Sequence, residues 1–110
     1  MGTIERAITI APGARHTFAW PSTFADTDVG GEVAFYQMGR FSMATDQIDF
    51  VCWGTGHSPS RKSLAESDGD WSGACTGAIT GTQLRRIRNT DGHGPASYDP
   101  TGTAAPLTCP

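Results

Sequence analysis

Ile48-Asp49-Phe50-Val51-Cys52-Trp53 is the densest apolar run in the chain, and its reading decides the fold. The run is too short for a helix and is rich in β-branched and aromatic side chains, so it reads as a buried strand. A strand turns successive side chains to opposite faces, which sets Ile48, Phe50 and Cys52 on one side and Asp49, Val51 and Trp53 on the other. An indole on the second face implies that this face is partly covered too. Gly54 ends the run; polar residues 44–47 precede it, and a Gly/Ser/Pro-rich stretch, residues 54–60, follows.

Upstream, residues 32–38 form the next strand, apolar on both faces (Val33 and Phe35; Ala34, Tyr36 and Met38), with Gly39 breaking or bulging it before Phe41 and Met43. Residues 3–10 alternate, with Ile4, Ile8 and Ile10 on one face, but Arg6 interrupts that face and marks an edge or partly solvated strand. Ala11-Pro12-Gly13-Ala14 is a turn, since Pro presets φ and Gly supplies φ above zero. His16, Phe18 and Trp20 then alternate up to Pro21, which makes residues 3–20 a hairpin and His16 a packed or edge histidine rather than a ligand. Residues 22–31 are a polar loop.

Downstream, residues 54–70 are polar, with Arg61 and Lys62 at the expected loop tip. A structureless stretch of that length inside a small domain often marks a functional or partner-bound loop. Residues 71–79 carry Gly73 and Gly77, so any strand there is short, whereas residues 83–89 read as a strand bearing Arg85, Arg86 and Arg88. Thr90-Asp91-Gly92 is a hairpin turn signal. Residues 93–110 hold Pro95, Pro100, Pro106 and Pro110, with Tyr98 and Leu107 as their large apolar side chains, and are expected to lie extended as a tail.

Short strands at regular spacing, without an amphipathic helix, predict an all-β fold: a small antiparallel β-sandwich or barrel, jelly-roll-like or immunoglobulin-like, with long loops. The body is expected over residues 1–92 and the Pro/Gly-rich tail over 93–110. Leu, Ile, Val and Phe number only 17 of 110 residues, which is thin for a core. A net charge of only -3 and an aromatic content of 9% argue against disorder. A folded chain with so little aliphatic material gains from a staple or from a partner surface. No run approaches the ~18 apolar residues of a membrane helix. No basic segment followed by an apolar one opens the sequence, so no secretory signal is expected, and the virion or the cytoplasm is the expected location.

Two loops share a pattern that could hold a cation. Asp68, Asp70 and Ser72 precede Gly73, and Asp26 and Asp28 precede Gly30. Calcium takes six to eight oxygens, and such spacing can wrap several around one ion. The first loop resembles the opening half of an EF-hand calcium loop, through Asp68, Asp70, Ser72 and Gly73. Position twelve is Ile79 where the bidentate Glu would stand, and no flanking helices are expected, while Asp and Gly are also the ordinary residues of turns. No cofactor is certain from the sequence, and calcium is the one its loops could hold.

Cys52, Cys75 and Cys109 lie 23 and 34 residues apart (52 to 75, 75 to 109), which with His57 and His93 fits no zinc-finger spacing. A disulfide has the better claim, and Cys75 to Cys109 would pin the tail; in a reducing cytosol all three would be thiols. No Gly-x-Ser-x-Gly elbow and no phosphate-cradling loop is present. The Arg85-Arg86-Ile87-Arg88 cluster sits in a chain with 8 basic and 11 acidic residues, which speaks against nucleic acid and for carboxylate partners, either here (Asp46, Asp49, Asp91) or on a neighbour.

These features predict a non-enzymatic interaction module that docks on copies of itself or in a larger assembly, with a virus or phage decoration or tail protein as the narrower expectation. Arg61, Lys62, Trp71, Arg85, Arg86 and Arg88 are its candidate partner-binding residues. Two alternatives stand beside it. One is a carbohydrate-binding β-sandwich with Trp20, Trp53 or Trp71 as stacking platform and calcium in the Asp loops. The other is a small enzyme with His57 or His93 as general base.

Overall fold

The run quoted first is a strand. In the computed structural model, which describes residues 9, 11–14, 29–37, 40–55, 61–87 and 92–102, it forms most of β2 (Gln47–Gly54). β2 pairs antiparallel with β1 (Gly30–Tyr36), in a register that sets Ala34 opposite Phe50 and Glu32 opposite Cys52. The next rungs set Val33 opposite Val51 and Gly31 opposite Trp53. Phe50 and Cys52 are fully buried, and Trp53 on the other face is nearly so, as its place beside them implied.

The expected pattern breaks at one residue. Phe35 pairs with Asp49 and Tyr36 with Gln47, so Ile48 is the extra residue of a bulge and is 57% exposed instead of lying beside Phe50. A bulge leaves its extra residue outside the ladder and swings the strand away from the regular pleat. The register shifts across Phe35 and Tyr36; Gly39, where the sequence led us to expect a break or bulge, lies outside the described residues.

Residues 54–70, expected to lack any element, contain helix α1 (Lys62–Asp68). The helix is short, has no side-chain N-cap, and buries only Ala65, so it shows no repeating apolar stripe. Lys62 pairs with Glu66 one turn on. Gly69 stops the helix in the left-handed region at φ 88°, its N–H donating to Ala65 O, which also accepts from Asp70 N at 2.8 Å and Trp71 N at 3.2 Å. That turn delivers Trp71 into the core.

The core is small. Phe50, Cys52, Ala65 and Trp71 form its buried cluster, with Ala34, Val51, Cys75 and Tyr98 packed against it. Trp71 meets Phe50 edge-on at 5.6 Å between centroids and Tyr98 at a tilt at 5.9 Å. Beyond Trp71 the expected strands are brief. Thr76 makes a single parallel bridge to Trp53, and the strand expected over 83–89 reduces to β3 (Arg85–Arg86) among the described residues. β3 pairs antiparallel with β4 (Tyr98–Asp99), which follows a 3-10 turn at Pro95–Ser97.

The chain divides into two compact units, Thr27–Ala104 and a second made of Met1–Asp26 with Ala105–Pro110. All strands and helices described above belong to the first. Of the stretch expected to trail as a tail, residues 93–102 are therefore body: β4 is laddered to β3 and Ser97 is buried. Tyr98 brings the large ring this segment needed in order to pack. In the other unit, the turn at 11–14 is present, with Ala14 N donating to Ala11 O at 2.9 Å and Gly13 at φ 76°. The strands expected over residues 3–10 and 16–20 lie almost wholly outside the described residues. The protein is thus β-rich, with two small antiparallel sheets, little helix and no closed sheet among the described residues. No described helix is long and apolar enough to cross a membrane.

Candidate functional site

The bulge that ejects Ile48 also sits beside Phe35, which is 49% exposed on the neighbouring strand. Val29, just before β1, and Met43, just before the 3-10 turn Ala44–Asp46, are likewise open to solvent. Phe35 and Ile48 are therefore presented outward from the same two strands that bury Phe50, Cys52 and Trp53, and Val29 and Met43 are exposed on the segments that precede them. The polar side chains at the ends of the strands are partly paired, with Gln47 Nε2 buried without a hydrogen-bond partner. Arg40 grips Asp46, with Nη2 donating to Oδ1 at 2.9 Å, and Tyr36 OH donates to Gln47 Oε1 at 3.4 Å. Burial holds the Tyr36 phenol above its usual range, with Arg61 pulling it down and Glu32 adding to the rise.

The arginine cluster is engaged within the fold. Arg86 Nη1 reaches Asp49 Oδ2 at 3.5 Å, Nη2 donates to Gly92 O at 3.4 Å, and the guanidinium lies over the Tyr98 ring at 5.8 Å. Arg85 faces Asp99 at 3.5 Å. Asp49 was among the carboxylates the sequence offered for this role, while Asp99 was not, because the segment that carries it read as tail. Arg88 lies outside the described residues. Arg61 and Lys62, expected at a loop tip, open α1 instead. Arg61 N donates to Glu32 Oε2 at 3.3 Å and its Nη1 to Phe41 O at 2.6 Å, so this arginine ties the helix to β1 and to the chain after it.

Trp71 corrects a further expectation. It is 2% exposed, with Nε1 donating to Gly73 O at 3.2 Å, so its indole is a core element and not a surface for a partner. Trp53 is buried as well, and neither ring is open as a sugar-stacking platform; Trp20 lies outside the described residues.

Asp68 and Asp70 flank Gly69 at the end of α1, and Ser72 follows on an exposed turn, its N–H donating to His93 O at 2.7 Å. Among the described residues no group of three or more His, Cys, Asp or Glu side chains is gathered to hold a metal ion. Asp26 and Asp28 lie outside the described residues, as does His57. Asp70 is nonetheless unusual. Its Oδ2 is buried without a hydrogen-bond partner, and burial, followed by the charges of Asp68 and Asp49, holds the carboxyl above the usual aspartate range against the pull of His93. Its chemistry is to retain a proton longer than an open carboxylate does. Burial and Asp49 likewise raise the Tyr98 phenol, with Arg86 opposing. His93 itself is exposed.

Cys75 is bonded to Cys52 across a Cα–Cα distance of 5.0 Å, which replaces the expected Cys75–Cys109 bridge. Thr76 is laddered to β2 by Gly54 N to Thr76 O at 2.8 Å and Thr76 N to Cys52 O at 3.0 Å, and these bonds bring the two cysteines side by side. Cys109 lies outside the described residues. No protein-family model matches the chain, and no curated protein and no solved structure matches it.

Proposed function

We propose that the chain is a non-enzymatic interaction module that docks onto copies of itself or into a larger assembly. The observation that supports this reading is the disposition of its apolar side chains. Val29, Phe35, Met43 and Ile48 face solvent, while the buried apolar set among the described residues is only Phe50, Cys52, Trp53, Ala65 and Trp71. Isolated exposed apolar residues are ordinary, but Phe35 and Ile48 on one strand pair, with Val29 and Met43 on the segments that precede its strands, over a thin core suit a surface that is covered in use. The two small sheets are linked by the pair of Arg86 on one and Asp49 on the other, and we read them as parts of a small β-sandwich. A β-rich module of 110 residues with this composition suits a virus or phage particle, as a decoration or tail protein; that narrower assignment is by analogy of size and class.

Size-exclusion chromatography with light scattering on the isolated chain tests the proposal. Self-association, or a marginally stable chain that precipitates or spreads on the column, supports it. A sharp peak at the 11.6 kDa monomer mass, from a chain that also melts cooperatively at high temperature, argues against it.

A further inference from the structure

From Trp71 to Gly102 no described regular element exceeds three residues. This part of the chain makes two passes stitched mainly to each other: Ser72 N–H donates to His93 O at 2.7 Å, Thr82 N–H to Gly102 O at 2.9 Å and Ile87 N–H to Ser97 O at 2.8 Å. Its ties to the β1–β2 sheet include four, beside the packing of Tyr98 against the buried cluster. Thr76 makes two main-chain bonds to β2. Trp71 packs its ring on Phe50. Arg86 meets Asp49 at 3.5 Å in a half-exposed pair, which contributes little in water. Cys75 is joined covalently to Cys52. The covalent tie enters the core itself, since Cys52 has no exposed surface and stands between Phe50 and Trp53 on β2.

We propose that the redox state of Cys52 and Cys75 decides whether this layer is seated on the sheet. Oxidised, the pair holds residue 75 against β2 and keeps Trp71 in its slot. Reduced, the layer must find its place without the crosslink, against the loop-closure entropy the bond removes, and the Phe50–Trp71 contact opens. The closed bond is shielded on one side: a thiolate must reach a sulfur to break it, and the Cys52 sulfur lies in the core, so attack is left to the partly exposed Cys75. Closing needs a disulfide oxidant. One cysteine thiolate attacks it and expels a thiolate, leaving a mixed disulfide. The second cysteine then attacks that bond and expels the other thiolate. One small disulfide is consumed, two thiols are released, and two electrons leave the protein. A reducing cytosol leaves the layer unlatched, and passage to an oxidising medium latches it. This inference is independent of the docking proposal.

The test uses the full chain, dithiothreitol with and without urea, alkylation followed by mass spectrometry, and near-UV circular dichroism. Without urea, Cys52 and Cys75 should be reduced more slowly than with it. With urea both should be reduced, and after urea is removed under reductant the near-UV signal should stay low and the Tm should lie more than about 10 °C below that of the oxidised chain. Oxidised glutathione should restore both, and the Cys109→Ser chain should behave identically. A Cys52→Val, Cys75→Ala chain should match the reduced protein. A reduced chain that regains the full signal and Tm would overturn the proposal. So would dependence of the response on Cys109, or a peptide map joining Cys75 to Cys109.

Discussion

Trp53 lays its indole across Gly31 on the opposite strand, so closely that a Cβ at residue 31 would stand within van der Waals overlap of three ring carbons. The glycine is what allows the outer face of β2 to be covered by its own tryptophan, since a ring can lie flat only where its cross-strand neighbour has no side chain. Gly31→Ala should therefore force the ring off its seat and cost about 1–3 kcal/mol, read as a lower urea midpoint with altered Trp fluorescence. Unchanged stability would mean that the ring has somewhere else to go.

Gly69 offers a purer backbone test. It lies at φ 88° with nothing within 4 Å of a Cβ placed there, so a side chain meets no clash and pays only the left-handed conformation. Gly69→Ala should cost about 1–2 kcal/mol, and Gly69→Asn less, by urea denaturation.

Asp70 gives stability a definite pH dependence. Its carboxyl is held above the usual aspartate range by burial and by Asp68 and Asp49, so the folded chain binds this proton more readily than the unfolded one. Stability then falls as pH rises from the usual aspartate value through the raised one, and the ionised group is a burden at neutral pH. A negative charge just past a helix C-terminus acts in the same direction. Asp70→Asn should raise the Tm at neutral pH, and the gain should vanish in acid below the usual range. Asp99 works with the opposite sign. The Thr101 hydroxyl and N–H hold it below its usual range, so its contribution is present at neutral pH and is lost as pH falls through the lowered value. Asp99→Asn should lower the neutral-pH Tm, and melting curves across the acid range check both signs.

Phe35 and Ile48 separate docking from folding. Each is about half exposed, so replacing both with Lys should move monomer stability by no more than about 0.5 kcal/mol per site while weakening association. Sedimentation of the double variant beside the parent chain checks this; a collapse of stability would instead place the two side chains in a core.

The legible parts of the fold were those in which one local signal dominates. The run around Phe50 and Cys52 was visible from its density of β-branched and aromatic residues, β1 from its neighbouring apolar positions, and the 11–14 turn from Pro12 followed by Gly13. Ile48 was not, because a bulge depends on pairing register, which single-strand periodicity does not contain. Helix α1 was hidden for a related reason. One buried alanine gives no stripe, and its remaining signals, Gly69 as a stop and Lys62 four residues before Glu66, are weak when taken alone. At the candidate site, carboxylate partners for the arginine cluster followed from charge balance, with Asp49 among three offered, but Asp99 stood in a proline-rich stretch that read as tail. The Cys52–Cys75 bond was obscured because Cys109 offered a bridge that would pin the expected tail, and the bond follows from the Thr76 bridge to Trp53, a long-range contact.

The most direct test of the docking account is the molar mass of the oxidised chain in solution, measured by sedimentation equilibrium over a range of concentrations. The account predicts a mass that climbs above 11.6 kDa with concentration and falls back when Phe35 and Ile48 are replaced by Lys. A mass fixed at 11.6 kDa at every concentration, in a chain that unfolds in one steep transition at high temperature, would contradict it.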